Sequence, residues 1–384
     1  MIFHSLTAVR AIAEFFVVHY HFGGFYQSES TVGGAFYVKD LMSLFFVLSG
    51  FVAMHTNKQT GFDARNYWCK RFSRTYPSYV VFLILDLIGN RLGMHGRQFR
   101  CAGLEYLIIA SQLVSVSPWL GSQHIFIVNE VSWYMATLFW LWLFFPVLHK
   151  PLTLTCRAVN PWVIILLTYV SSLLAYTLAA PLYYHHSRSL PILRVFEFVM
   201  GACTALATDR ASHLLALAIT VAIMISFWIF TSTLDTQPLE NSLCELWPKN
   251  QLWHISADIY LSKSAIVWVL MIHWLVHEET TNSQSLVIST LTSDLFQWLG
   301  SFSLPLYLGH YVVACGLHSL PSLWGYDKFW TKDFHMIACY LLCYAYSRTV
   351  QRLLDGYCVP KENFIPDETL ELVSLVSDDI MPHD

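Results

Sequence analysis

Long apolar runs recur along the chain, each near the roughly 20 residues needed to cross a bilayer, and polar or basic residues separate them. They fall at 5–22, 38–56, 76–92, 131–148, 160–180, 190–208, 212–233, 256–277, 302–320 and 334–352. This pattern predicts an all-α fold, a polytopic transmembrane helical bundle of about ten spans. The stretch 104–118 is apolar but short, and Pro118 ends it. It is expected to be re-entrant or interfacial, since counting it as a span reverses the sidedness of every later helix. On this reading residues 1–355 form one transmembrane domain, and 356–384 an acidic, disordered cytoplasmic tail. No internal repeat or low-complexity block interrupts the pattern.

The first run departs from a plain membrane helix. Leu6 to Phe22 carries Arg10, Glu14, His19 and His21. A charge at mid-bilayer costs about 2.5–3.5 kcal/mol or more, so such groups face protein or a wet cavity. At about 100° per residue, Glu14 lies roughly 40° and His21 roughly 20° around from Arg10, with His19 roughly opposite. Arg10, Glu14 and His21 therefore share one stripe. That stripe fits either a salt-bridged core helix or a working site. His19 and His21 diverge on a helix, which argues against a metal site between them.

Composition agrees with the membrane reading. The 384 residues are 55% hydrophobic and 12% charged, about half the charge of a soluble domain. Fourteen Trp and twenty Tyr suit aromatic belts at two membrane interfaces. The net charge of −4 and the absence of a basic tract give no support for nucleic acid. The nine cysteines show no metal-ligand spacing and no CxxC, so they read as small buried hydrophobes, and no metal is expected. Arg10 interrupts any signal-peptide core, so the first helix is expected to stay as an anchor. The loop 57–75 holds Lys58, Arg65, Lys70, Arg71 and Arg74, while 23–37 holds no Lys or Arg. That asymmetry predicts a multi-pass membrane protein with both termini cytoplasmic. Arg91, Arg97 and Arg100 then fall outside, against the trend.

Several short segments carry the candidate chemistry, in order. Arg10 and His21 are separated by ten residues. Phe45-Phe46-Val47-Leu48-Ser49-Gly50 lies on the second span. Lys70-Arg71-Phe72-Ser73-Arg74 lies at the mouth of the third. Arg194-Val195-Phe196-Glu197-Phe198-Val199-Met200-Gly201 enters the sixth, and Tyr307-Leu308-Gly309-His310 lies in the ninth. The Arg-x10-His, FFxxSG and RxxR segments, followed by these last two, resemble acyltransferase family 3, the integral-membrane acyltransferases, over roughly 5–352. The resemblance implies transfer of an acyl group, commonly acetyl from acyl-CoA, to a hydroxyl of a sugar, glycan or similar acceptor. Acyl-CoA is then a donor substrate, with no bound cofactor, and the partners are the bilayer, the donor and a hydroxyl-bearing acceptor. One departure stands out. Many relatives carry a Glu about five residues after the Trp of a segment like Ser132-Trp133-Tyr134, and this chain has Leu138 there. No soluble stretch is long enough for the extra SGNH-type domain that some relatives carry.

Acyl transfer from a thioester to an alcohol needs a base for the hydroxyl proton, a stabilised oxyanion and a held donor. His21 is the best base by residue type, because imidazole titrates near neutrality, and the resemblance gives the same role to the His of the Arg-x10-His pair. Arg10 sits about 16 Å from His21 along a straight helix, too far to orient it directly. Arg10 is instead expected near the donor, with Glu14 balancing it; Glu14 could alternatively hold the imidazole through a water. Arg71 and Arg74, with Lys70, suit the donor's phosphates, being three residues apart at an expected helix start. Ser49 could donate to the thioester oxygen, bond back to its own helix or act as a nucleophile, although no GxSxG elbow surrounds it. His310 with Tyr307 one turn before it forms a second intramembrane candidate, or a satisfied core pair. Arg194 and Glu197 read as a structural pair. A transporter using the intramembrane His, Glu and Arg as a proton relay, and a catalytically inactive relative, are the alternative readings.

Overall fold

The computed structural model describes residues 3–26, 38–58, 61–92, 102–120, 129–179, 189–207, 249–281, 284–324 and 332–357. Among the described residues the structure is all-α and free of strands. The helices are α1 (His4–Tyr26), α2 (Val38–Asn57), α3 (Ala64–Arg91), α4 (Ala102–Leu113), α5 (Trp133–Ala158) and α6 (Pro161–Ala179). Then follow α7 (Pro191–Ala207), α8 (Lys249–Thr281), α9 (Leu286–Leu291), α10 (Asp294–Ser301), α11 (Ser303–Trp324) and α12 (Lys332–Tyr357). The expected span 212–233 and the acidic tail beyond Tyr357 lie outside the described residues.

Helix α5, 26 residues long, is the one described helix both long and apolar enough to cross a membrane by length and composition. Leu41–Asn57 of α2 and Pro161–Tyr176 of α6 are shorter apolar stretches. Helix α4 has 12 residues, about 18 Å of rise, well short of a hydrocarbon core of about 30 Å. Ser115, with φ 58°, turns the chain just beyond it.

Local chemistry sets several helix starts. Asn160 caps α6 by accepting from Trp162 N at 3.0 Å, and Pro161 and Pro191 take first positions, where a missing N–H is harmless. The start of α3 differs from expectation. The sequence places the third span at 76–92, with Arg71 and Arg74 at a helix start just before it. The helix instead begins at Ala64 and runs through Pro77. Asp63 caps it, accepting from Arg65 N at 2.9 Å. Phe62 on one side of the cap packs on Tyr67 on the other, their rings 5.8 Å apart, which fixes the entry of the chain. Gly61, at φ 96°, supplies the turn before it. Arg71 and Arg74 thus lie two turns and more inside the helix, and the terminal dipole, which fades within the first turn, does not reach them.

The chain divides into two compact units. One comprises Met1–Ala35, Phe72–Arg97 and Trp274–Asp384; the other comprises Phe36–Arg71 and Gln98–His273. In the first, α1 packs against α9, α10, α11 and α12. Val18, Ala314 and Cys343 form a buried centre, closed by Leu306, Val313 and Tyr340. The start of α1 is pinned by Glu279, which accepts from His4 N at 2.9 Å, Ser5 N at 3.1 Å and Ser5 Oγ at 2.5 Å. A carboxylate there satisfies two of the unpaired amides at the positive end of the helix.

In the second unit α7 packs on α2, α5 and α6. Its closest seam is with α2. A Cβ on Gly50 would strike the Phe198 carbonyl, and a Cβ on Gly201 would strike the Val47 carbonyl. Each helix lays its glycine on the other's backbone, three residues from the opposing contact. Arg194 and Glu197 close the neighbouring core as expected. Arg194 Nη1 donates to both Glu197 oxygens at 2.7 and 2.9 Å, and Ser43 Oγ donates to Glu197 at 2.7 Å. Arg194 also lies over the Phe46 ring at 5.1 Å. All three side chains are buried, and Glu197 is bonded by both Arg194 and Ser43.

Candidate active site

In the first unit, α1 and α11 bring the polar stripe together with His310. The ring of His21, half-buried near the end of α1, lies 5.1 Å from the ring of His310 at 43°. His310 is wholly buried, and the Tyr307 ring lies 5.9 Å away, one turn earlier on α11. His19 points elsewhere. Its Nδ1 lies 2.9 Å from Tyr340 Oη, and its ring stacks beside Phe15 and Tyr340. The helical spacing that separates His19 from His21 therefore sends one to a half-buried ring stack and the other to the histidine pair.

The other two members of the stripe sit lower on α1. Glu14, 3% exposed, faces the Arg10 charge, the Ser303 hydroxyl and the Tyr307 backbone N–H. It thus sits at the opening turn of α11, where the backbone favours a negative group. Arg10 Nη2 donates to the Gly300 carbonyl at 2.8 Å, at the negative end of α10. Gly300 is itself closed down on Thr7. Arg10 and Glu14 therefore tie α1 to the α10–α11 corner.

In the second unit, Arg71 is half-buried among aromatic rings. Its guanidinium carbon lies 5.7 Å from the centroid of Tyr67 and 5.7 Å from that of Trp142, within cation–π range. Burial pushes the Tyr67 hydroxyl well above the usual phenol range, with the Arg71 charge pulling the other way. Trp142 Nε1 donates to Ser49 Oγ at 2.9 Å. Trp68 Nε1 donates to the Trp142 carbonyl at 3.1 Å. That carbonyl is open to it because the residue four further on, Pro146, has no N–H to complete the helical bond. Lys70 is exposed beside this cluster in sequence.

Five of the expected site residues, Arg10, Glu14, His21, Tyr307 and His310, thus gather in the first unit, to which Arg74 also belongs. Ser49, Lys70 and Arg71 belong to the second. Ser49 does not bond back to its own helix; it accepts from Trp142 instead. Trp142, Tyr67 and the Gly300 carbonyl escaped the sequence reading. One signal for Trp142 was present: an indole four residues ahead of a proline inside an apolar helix.

No match to a curated protein or to a solved structure was found. The acyltransferase-domain model of acyltransferase family 3 matches residues 3–348. That span includes every residue of both clusters, so the chain belongs to acyltransferase family 3 and is an acyltransferase.

Proposed function

We propose that this protein is a multi-pass membrane O-acyltransferase that moves an acyl group, acetyl in the first instance, from acyl-CoA to a hydroxyl of a carbohydrate or similar small acceptor. The observation that carries the reading is the His21–His310 pair beside Tyr307, at 5.1 Å, inside a family match of residues 3–348. His21 is the half-buried member of that pair and the one able to meet substrate. As the acceptor oxygen attacks the thioester carbonyl carbon, His21 takes the hydroxyl proton. The tetrahedral oxyanion then collapses, the carbon–sulfur bond breaks, and the imidazolium returns its proton to the departing CoA thiolate. Lys70, Arg71 and Arg74 hold the donor's phosphates.

The bilayer reading is supported by where apolar side chains meet the outside. Val163, Leu167, Val170 and Leu174 are all exposed on α6 and fall on one helical stripe. Ile84 and Ile88 do the same on α3, and Leu143, Val147 and Leu154 on α5. Such stripes are costly in water and natural against lipid. About ten spans with both termini cytoplasmic would put the Lys70–Arg74 segment on the side where acyl-CoA is made.

The test uses membranes containing the full chain, labelled acyl-CoA and a panel of hydroxyl acceptors. Acceptor-dependent CoA release, lost in His21→Ala and reduced in Arg71→Ala at equal expression, is the expected result. Full release in His21→Ala overturns the base assignment. Solute uptake independent of CoA would favour the proton-relay transporter, and binding without turnover the inactive relative.

A further inference from the structure

We infer that Ser49 acts as a fixed hydrogen-bond donor to the donor's thioester carbonyl, not as a nucleophile, and that Trp142 is the positioning residue that sets it so. The inference rests on the acyl-CoA reading above. Tryptophan's Nε1–H can only donate, whereas a serine hydroxyl both donates and accepts. At 2.9 Å, Trp142 Nε1 therefore occupies a lone pair of Ser49 Oγ. Among the described residues Ser49 donates to none, so its proton is directed away from the indole. A nucleophilic serine needs the opposite arrangement: an oxygen with its lone pairs available and a base receiving its proton. A donor aimed at a developing oxyanion needs an O–H kept clear of competing partners, and the bond from Trp142 turns the Ser49 O–H away from the indole.

Trp142 is held hard enough to do this. It is buried, its ring packs on Phe139 at 5.7 Å, and its carbonyl is taken by Trp68. Its ring also carries the Arg71 guanidinium at 5.7 Å. One rigid indole thus connects the FFxxSG serine to the first arginine of RxxR. An anion gripped by Arg71 presses on the same ring whose nitrogen fixes Ser49.

The experiment compares Ser49→Ala, Ser49→Thr, Trp142→Phe and the double variant Ser49→Ala/Trp142→Phe, read as kcat and KM for acyl-CoA in membranes. Trp142→Phe keeps an aromatic ring near Arg71 but removes the N–H together with part of the indole, so its kcat is compared at equal amounts of folded protein. Loss of one oxyanion donor lowers kcat about 10²–10³-fold. Ser49→Ala should fall by that factor with KM for acyl-CoA little changed. Trp142→Phe should lower kcat in the same direction at unchanged KM, and the double variant should be no worse than Ser49→Ala alone. Ser49→Thr, which keeps a hydroxyl, should restore most of kcat. Additive losses in the double variant, or a raised KM with normal kcat in Trp142→Phe, would overturn the positioning role. Intact-mass analysis after incubation with acyl-CoA alone separates the chemistry. An acyl adduct on Ser49 overturns the donor assignment, whereas its absence together with the kcat pattern supports it. Failure of the acyl-CoA reading itself would show differently, as no CoA release from the wild-type protein.

Discussion

The imidazoles of His21 and His310 lie 5.1 Å apart, inclined at 43°, one half-buried and the other wholly enclosed. The pairing joins helices distant in sequence, α1 and α11, and assigns unequal parts to the two rings. The half-buried partner, His21, is the one the proposed reaction sets against substrate. The enclosed partner can act only by holding its neighbour. His21→Ala is accordingly expected to reduce acyl transfer about 10²–10⁴-fold, the usual worth of a general base. His310→Ala should reduce kcat by less, up to about 10²-fold through misplacement of His21. Steady-state CoA release by both variants, at matched amounts of folded protein, checks the ordering; a larger loss in His310→Ala would reverse the assignment.

Glu14 is buried with Arg10 as its charged neighbour and one oxygen, Oε1, without a hydrogen-bond partner. Glu14→Leu would strip Arg10, the Ser303 hydroxyl and the start of α11 of their shared acceptor. Removing one partner of a buried polar contact costs about 1–3 kcal/mol. A lowered melting temperature in detergent is expected, with Glu14→Gln intermediate because it keeps an acceptor oxygen.

Tyr67 behaves differently. Its hydroxyl is buried without a partner, while its ring carries Arg71. Tyr67→Phe should leave stability at neutral pH unchanged or slightly higher, since an unanswered buried hydroxyl is lost and the ring is kept. The folded phenol titrates above its ordinary value of 10.0. The stability this represents is complete below about pH 10 and disappears as pH rises toward the folded value. Unfolding measured on the alkaline side should therefore be less steep in pH for Tyr67→Phe than for wild type.

The glycines divide by what they touch. Gly50→Ala and Gly201→Ala force a methyl group against a backbone carbonyl, and backbone cannot move aside cheaply. Either should sharply reduce the yield of folded protein. Gly309→Ala meets the edge of the Phe82 ring and the Tyr346 ring, which can rotate. A smaller loss is expected there, on the order of the 1–3 kcal/mol typical of overpacking. Size-exclusion profiles in detergent would rank the three.

Much of this was readable in the chain, and the pattern of success has physical reasons. Helical period alone separated His19 from the Arg10–Glu14–His21 stripe, because side-chain direction on a helix follows from spacing. The Arg194–Glu197 pair was legible for the same reason. The start of α3 was not, because the apolar run begins only near residue 76 while Asp63 and Phe62, the residues that open the helix, sit in a polar stretch that resembles a loop. The role of Trp142 was hidden because Ser49 and Trp142 lie 93 residues apart, and no local rule pairs an indole with a distant hydroxyl. Ser303 and the Gly300 carbonyl lie just ahead of the Tyr307–His310 segment, and their partners on α1 emerge only from tertiary packing.

The crossing of α2 and α7 has a mechanical consequence. Two notches, each filled by the opposite backbone and set one turn apart, act like a key with two teeth. Sliding or turning either rod by one residue would lift a tooth out of its slot. The place of the serine next to Gly50 is therefore inherited from shape rather than from charge. It should persist across salt concentration, since backbone contacts of this kind are not screened.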